Sequence, residues 1–353
     1  MTVRFRATLD ALPTYVPGRT IAGAVKLASN ESAYGPLPFV IDRIAAVAAT
    51  ANRYPDTFST ELRHLIAARL AVPPEQVVVG CGSVSLCQQL VLATAGTGDE
   101  VLFGWRSFEA YPIISILGGA RPVQVALTDD RYDLTAMAAA ISERTRLIFI
   151  CNPNNPTSTI LSREELVWFL DQVPADVLVV LDEAYIEYVV DERFTDGLSL
   201  LSRYRNLIVL RTFSKAYGLA ALRIGYGIAA DPAVAAAAVA TQSPFAVTAV
   251  AQAAAAASLE PEAEAQMRHR VSETVTERAR VTAALRAAGY FVPESHTNFV
   301  WLNRIDNELD PVAFAATCER GGVIVRPFAD SGVRISIGSP TENDAFLNAR
   351  PAR

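Results

Sequence analysis

The sequence predicts an α/β protein: a large domain with a mostly parallel seven-stranded sheet covered by helices on both faces, and a smaller α+β domain. Two observations carry that prediction. Through the middle of the chain, short apolar runs alternate with helical patterns, as strands buried on both faces and their crossover helices require. Past Pro261 the alternation gives way to one long helical pattern and then to three more strand-like runs.

Strands of the large sheet are expected at 77–79, 101–103, 122–125, 147–150, 177–181, 207–210 and 224–229. The Ala-rich stretch 231–259 reads as packed helices. Its apolar runs are broken by Thr241-Gln242-Ser243-Pro244 and by Gln252, whereas a membrane span needs about 20 predominantly apolar residues. From Pro261 a helix runs to the stop signal Gly289, with Met267, Val271 and Val275 one turn apart. Such a helix reaches roughly 40 Å, enough to leave the large domain. Strands of the smaller domain follow at 298–302, 323–325 and 333–337. The expected division is an N-terminal arm (1–28) belonging to the small domain, a large domain (29–258) and a C-terminal small domain (259–353).

The 353 residues are 51% hydrophobic and carry a formal charge of −6, with no run of like charges. That balance gives no footprint for nucleic acid or an anionic membrane, and no helix-turn-helix pattern precedes residue 30, which argues against a DNA-binding regulator. Residues 1–13 mix Arg4, Arg6 and Asp10 among apolar ones and form no signal-peptide core. Cys81, Cys87, Cys151 and Cys318 make no CxxC pair, so reduced thiols in the cytoplasm are expected. His64, His269 and His296 show no ligand spacing, so no metal site is expected and each reads as a surface or interdomain histidine.

Three strand ends carry chemistry. After Leu207-Ile208-Val209-Leu210 comes Thr212-Phe213-Ser214-Lys215, with Arg223 eight positions on. A lysine there can form an imine with a carbonyl cofactor such as pyridoxal phosphate, while neighbouring hydroxyls and the arginine bind the phosphate dianion. Alone, such a lysine reads more readily as a loop cap. The run 177–181, however, ends in Asp182, a carboxylate suited to the cofactor's pyridine nitrogen, because a protonated ring is the electron sink. Tyr185 is spaced to donate its hydroxyl to the phenolic oxygen, and Asn155, in Asn152-Pro153-Asn154-Asn155-Pro156-Thr157, offers that oxygen an amide donor. In such sheets ligands bind beyond the carboxyl ends of the strands, where all three fall. Gly80-Cys81-Gly82-Ser83 superficially suggests a dinucleotide turn, but a Rossmann acid should end the next strand, and Asp99 and Glu100 precede it. The turn serves instead as an anion site, with Gly82 and Ser83 holding the cofactor phosphate beside Ser214 and Arg223.

In these motifs the chain resembles the fold-type I pyridoxal-phosphate aminotransferases of the histidinol-phosphate aminotransferase branch, over nearly its whole length from Leu27-Ala28-Ser29-Asn30-Glu31 to Val333-Arg334-Ile335-Ser336. Within the branch it is most similar to the actinobacterial aromatic amino acid (phenylalanine) aminotransferases, in Gly80-Cys81-Gly82-Ser83-Val84-Ser85 and in Phe103-Gly104-Trp105-Arg106-Ser107-Phe108-Glu109. Ser158 departs from the pattern, since many relatives have glycine there. The resemblance implies that Phe108 stacks on the pyridine ring, where most relatives have tyrosine, and that Tyr54 reaches the phosphate in the neighbouring subunit's site. It therefore implies a homodimer. Arg334 matches the arginine that forks onto the substrate α-carboxylate, and Arg326 a position that contacts the substrate phosphate in histidinol-phosphate enzymes. Tyr15 matches a residue that folds over bound substrate, and Asn30 one that faces the substrate pocket. The implied activity is ping-pong transamination of aromatic L-amino acids with 2-oxoglutarate, in which Lys215, Asp182 and Tyr185 act on the reacting centre. The rivals are histidinol-phosphate transamination and, on the same fold, a pyridoxal-phosphate decarboxylase.

Overall fold

The structure, a computed structural model, describes residues 3–13 and 18–353. Near the N-terminus, β1 (Val25–Leu27) joins a sheet completed far downstream. The central sheet contains β2 (Val77–Gly80), β3 (Glu100–Trp105), β4 (Arg121–Ala126), β5 (Thr145–Cys151), β6 (Leu178–Asp182), β7 (Leu207–Thr212) and β8 (Gly225–Ala229). Its order is β2-β8-β7-β6-β5-β3-β4, parallel throughout except that β8 runs antiparallel to both neighbours. Each of the seven apolar runs in the sequence is one of these strands.

The runs are continuous because both faces of the sheet are covered. Leu102, Ile148, Ile150, Val179, Leu181 and Val209 pack into one core, while Val101, Phe103, Leu147, Phe149, Val180 and Ile208 pack into another on the opposite face. Successive residues of a strand point to opposite sides, so a strand buried on both needs an apolar residue at every position. Helices Ser83–Thr94, Ala110–Gly118, Leu134–Ala139 and Arg163–Leu170 join the parallel strands. The last is fixed at its start by a capping box between Ser162 and Glu165.

The Ala-rich stretch forms helices Pro232–Ala240 and Ala249–Ser258, and the long helix spans Pro261–Ala287. Met267 and Val271 are buried along it and Val275 packs beside them. Among the described residues no helix is long and apolar enough to cross a membrane. The second sheet adds β9 (Phe299–Asn303), β10 (Val323–Phe328) and β11 (Gly332–Ser336), in the order β1-β10-β11-β9. β1 pairs in parallel with β10, Val25 opposite Val323. It went unread in the sequence because three residues show no period. Ser158 holds φ +65° while fully buried, its Oγ donating to the Thr157 carbonyl at 2.5 Å. The backbone there takes the left-handed turn that glycine adopts most easily.

Candidate active site

The carboxyl ends of β5, β6 and β7 lie side by side, with Cys151 opposite Asp182 in register. They open into a cavity of about 310 Å³ lined by Ser83, Phe108, Asn155, Asp182, Tyr185, Thr212, Ser214, Lys215, Arg223, Arg326 and Arg334, with Asn30 on the arm side. The Lys215 ammonium donates to the backbone carbonyl of Asn30 at 3.1 Å and stands over the Tyr185 ring, 5.7 Å from its centroid. Burial, and after it the Arg334 guanidinium, lower its pKa from 10.5 to about 7, against the pull of Glu31. At neutral pH a large fraction is therefore free amine, able to attack a carbonyl or take a proton.

Asp182 is buried, and burial raises its carboxyl pKa to about 6, offset by hydrogen bonds from Tyr111 and the Ala184 N–H and by the charge of Lys215. Oδ2 accepts from the Tyr111 hydroxyl at 3.0 Å, and Oδ1 is buried without a hydrogen-bond partner. A buried carboxylate oxygen left unpaired is costly. It fits a site shaped for a cationic N–H donor such as a pyridinium. Tyr111 itself is held flat against Phe149, ring centroids 4.3 Å apart. Sequence reasoning missed Tyr111, which looked like one more apolar helix residue beside Phe108. Phe108 lines the cavity and meets Tyr111 edge to face at 5.5 Å.

Thr212, Ser214, Ser83 and Arg223, expected to bind an anion, line one part of the cavity, and Gly82 adjoins them. Thr212 Oγ1 donates to Ser214 Oγ at 2.9 Å and accepts from the Ser214 N–H at 3.1 Å. Gly82, at φ +76°, opens the helix Ser83–Thr94, and a Cβ there would collide with the Arg223 guanidinium. Helix N–H groups, three hydroxyls and an arginine thus form an anion cradle that a side chain at residue 82 would fill. The residues present fit pyridoxal phosphate.

Elsewhere in the cavity, Arg334 Nη1 donates to Asn155 Oδ1 at 2.6 Å and Nη2 to the Ala28 carbonyl at 3.0 Å. With its oxygen committed to Arg334, Asn155 has its NH₂ end left to donate. Asn30, fully buried at φ +53°, is a junction: its amide nitrogen donates to the Tyr185 hydroxyl at 2.9 Å, and its carbonyl accepts from Lys215 and from Asn298. Its oxygen Oδ1 accepts from Ser336 at 3.2 Å. Side chain and backbone carbonyl of Asn30 together tie Tyr185, Ser336, Lys215 and Asn298 to one point, a set of contacts beyond the pocket-facing role expected of it. Arg326 is 7% exposed and faces the same cavity. Tyr54 does not reach this cavity; it is 81% exposed and stacks on Phe245 at 4.4 Å. Tyr15 lies outside the described residues. His296 is buried, and a ring nitrogen lies within 4.8 Å of carboxylate oxygens of Asp191 and Glu294, but Asp191 is already clasped by Arg193.

Glu187, two residues past Tyr185, has Oε2 buried without a partner, and burial pushes its carboxyl pKa from 4.5 up to about 7 despite its own backbone N–H and Arg211. The folded state therefore holds this proton between pH 4.5 and 7, and stability falls across that window as pH rises. Glu187→Gln is expected to match the wild type in chemical denaturation near pH 4.5 and to exceed it by about 3 kcal/mol at pH 8. An equal difference at both pH values would contradict the assignment.

Fold and site together define a pyridoxal-phosphate enzyme of the α/β type with its lysine at the end of a central strand. The chain belongs to the aminotransferase class I and II family, whose model matches residues 22–349. It is 56% identical over 348 residues to an aromatic amino acid aminotransferase of Rhodococcus jostii, covering 98% of this chain and 95% of that one. It is 53% identical over 347 residues to a protein of the same name from Mycobacteroides abscessus, covering 98% of each. Among solved structures, histidinol-phosphate aminotransferase from Sinorhizobium meliloti in complex with pyridoxal-5'-phosphate superposes with a TM-score of 0.88 at 29% identity, covering 99% of this chain and 97% of that one.

Proposed function

We propose that this protein transaminates aromatic L-amino acids (phenylalanine, tyrosine and tryptophan) with 2-oxoglutarate, giving aromatic 2-oxo acids and L-glutamate. The observation that carries the reading is a cavity in which Arg334 lies over the Phe328 ring, 5.6 Å from its centroid, with Phe108 also in the lining. Relatives at 53–56% identity bear the corresponding name, whereas the histidinol-phosphate enzyme stands at 29%. Bound pyridoxal phosphate supplies an electron sink for the bond broken at Cα. Lys215 would hold the cofactor and would move the proton at Cα as base and then acid. Asp182 Oδ1 would accept the ring N–H. Tyr185 and the Asn155 amide would donate toward the phenolic oxygen, Phe108 would cover one ring face, and Gly82, Ser83, Thr212, Ser214 and Arg223 would take the phosphate.

Arg334 orients the α-carboxylate through its planar pair of donors. Both half-reactions present that group. Arg334→Ala is accordingly expected to raise KM about 100-fold for phenylalanine and glutamate alike, measured by steady-state kinetics in both directions; a rise for one alone would remove Arg334 from this role. The assay that tests the function compares phenylalanine with histidinol phosphate, each with 2-oxoglutarate. Higher efficiency on histidinol phosphate would overturn it.

The working unit is a homodimer in this reading. Tyr54, Phe58 and Phe245 form an exposed aromatic patch and Arg223 is itself exposed, as expected of groups that a second copy covers. Tyr54 would then reach the partner's phosphate, and Tyr15 would close over substrate. The arm through residue 28 and residues 259–353 form the small domain around 29–258, and the four free thiols fit the cytoplasm.

A further inference from the structure

Arg326 and Arg334 are directly opposite each other on β10 and β11. Both face the cavity, and both guanidinium groups lie over Phe328, at 5.5 and 5.6 Å from its centroid. Left so, the compartment beyond Arg334 would carry a second cationic group suited to a dianion. It is not left so. Arg326 Nη2 donates to Glu109 Oε2 at 2.9 Å, with side chains only 9% and 30% exposed. Glu109 directly follows Phe108, the ring wall, and stands at the N-cap position of the helix Ala110–Gly118 without a side-chain cap, so its backbone is set by the same turn that places Phe108.

We infer that Glu109 is a specificity-determining residue: by pairing with Arg326 it neutralises the side-chain compartment and turns it from a dianion site into one for uncharged aromatic side chains. A phosphate entering there must displace Glu109 from Arg326 and lie against its charge, a repulsive element built into the pocket. An aromatic side chain meets no such cost. It can lie on Phe328 and on the flat guanidinium, whose orientation the Glu109 hydrogen bond fixes.

The inference rests on the aromatic reading above, and one set of assays separates the two. Glu109→Gln keeps the side chain's size and removes its charge. The ratio of kcat/KM for histidinol phosphate to that for phenylalanine is expected to rise about tenfold, carried by a lower KM for the phosphate substrate. In an Arg326→Gln background the same substitution should leave the ratio unchanged, because the effect passes through Arg326. An unchanged ratio in the single variant, an equal shift in both backgrounds, or a parallel loss on both substrates would each overturn the inference. A wild type that fails on phenylalanine defeats the parent reading instead, and is seen before any variant is made.

Discussion

Lys215→Ala is expected to lose turnover of phenylalanine with 2-oxoglutarate by about 10⁴-fold or more at saturating cofactor, because nucleophile and proton carrier disappear together. The pKa of about 7 makes the wild-type amine competent near neutrality, and the Asn30 carbonyl at 3.1 Å aims it. Borohydride treatment of the wild type should leave the pyridoxyl group on Lys215, found by peptide mass mapping. The label on any other lysine would end this reading of the site.

Asp182→Ala comes next in size. Its unpartnered Oδ1 is the one buried anionic acceptor at the foot of the cavity among the described residues, and charge stabilisation of this kind is commonly worth about 10²–10³ in kcat for a single group. The substitution leaves Lys215 and the phosphate cradle intact, so the variant should still bind the cofactor and keep its visible absorbance while chemistry slows by about that factor. Near-normal kcat would show that Asp182 does not face the ring nitrogen.

Much of this arrangement was legible in the sequence because each piece ends a buried strand. Strands apolar at every position stand out as runs, and a polar residue closing such a run, as Asp182 does, has few reasons to be there except a ligand. What escaped has no such frame. Tyr111 acts through one hydrogen bond from the first turn of an apolar helix. Asn30 was expected to face the pocket, but its four partners, residues 185, 215, 298 and 336, come together only in the folded chain. Arg326 is named by resemblance alone, and its pairing with Glu109 shows only in the fold. The reach expected of Tyr54 needs a second copy.

The pairing of β1 with β10 bears on how the protein is made. Val25 emerges from the ribosome early, yet the strand it pairs with lies around Val323, near the other end of the chain. During synthesis the arm has no sheet to join, while the central sheet can assemble from segments already delivered. Closing so long a loop is entropically late. The Asn30 junction waits with it, since Ser336 and Asn298 are also late arrivals. A nascent chain halted before β10 would therefore carry a sheet with its lysine in place and a loose, protease-sensitive arm, and the cavity would gain its substrate side only with the last stretch of polypeptide.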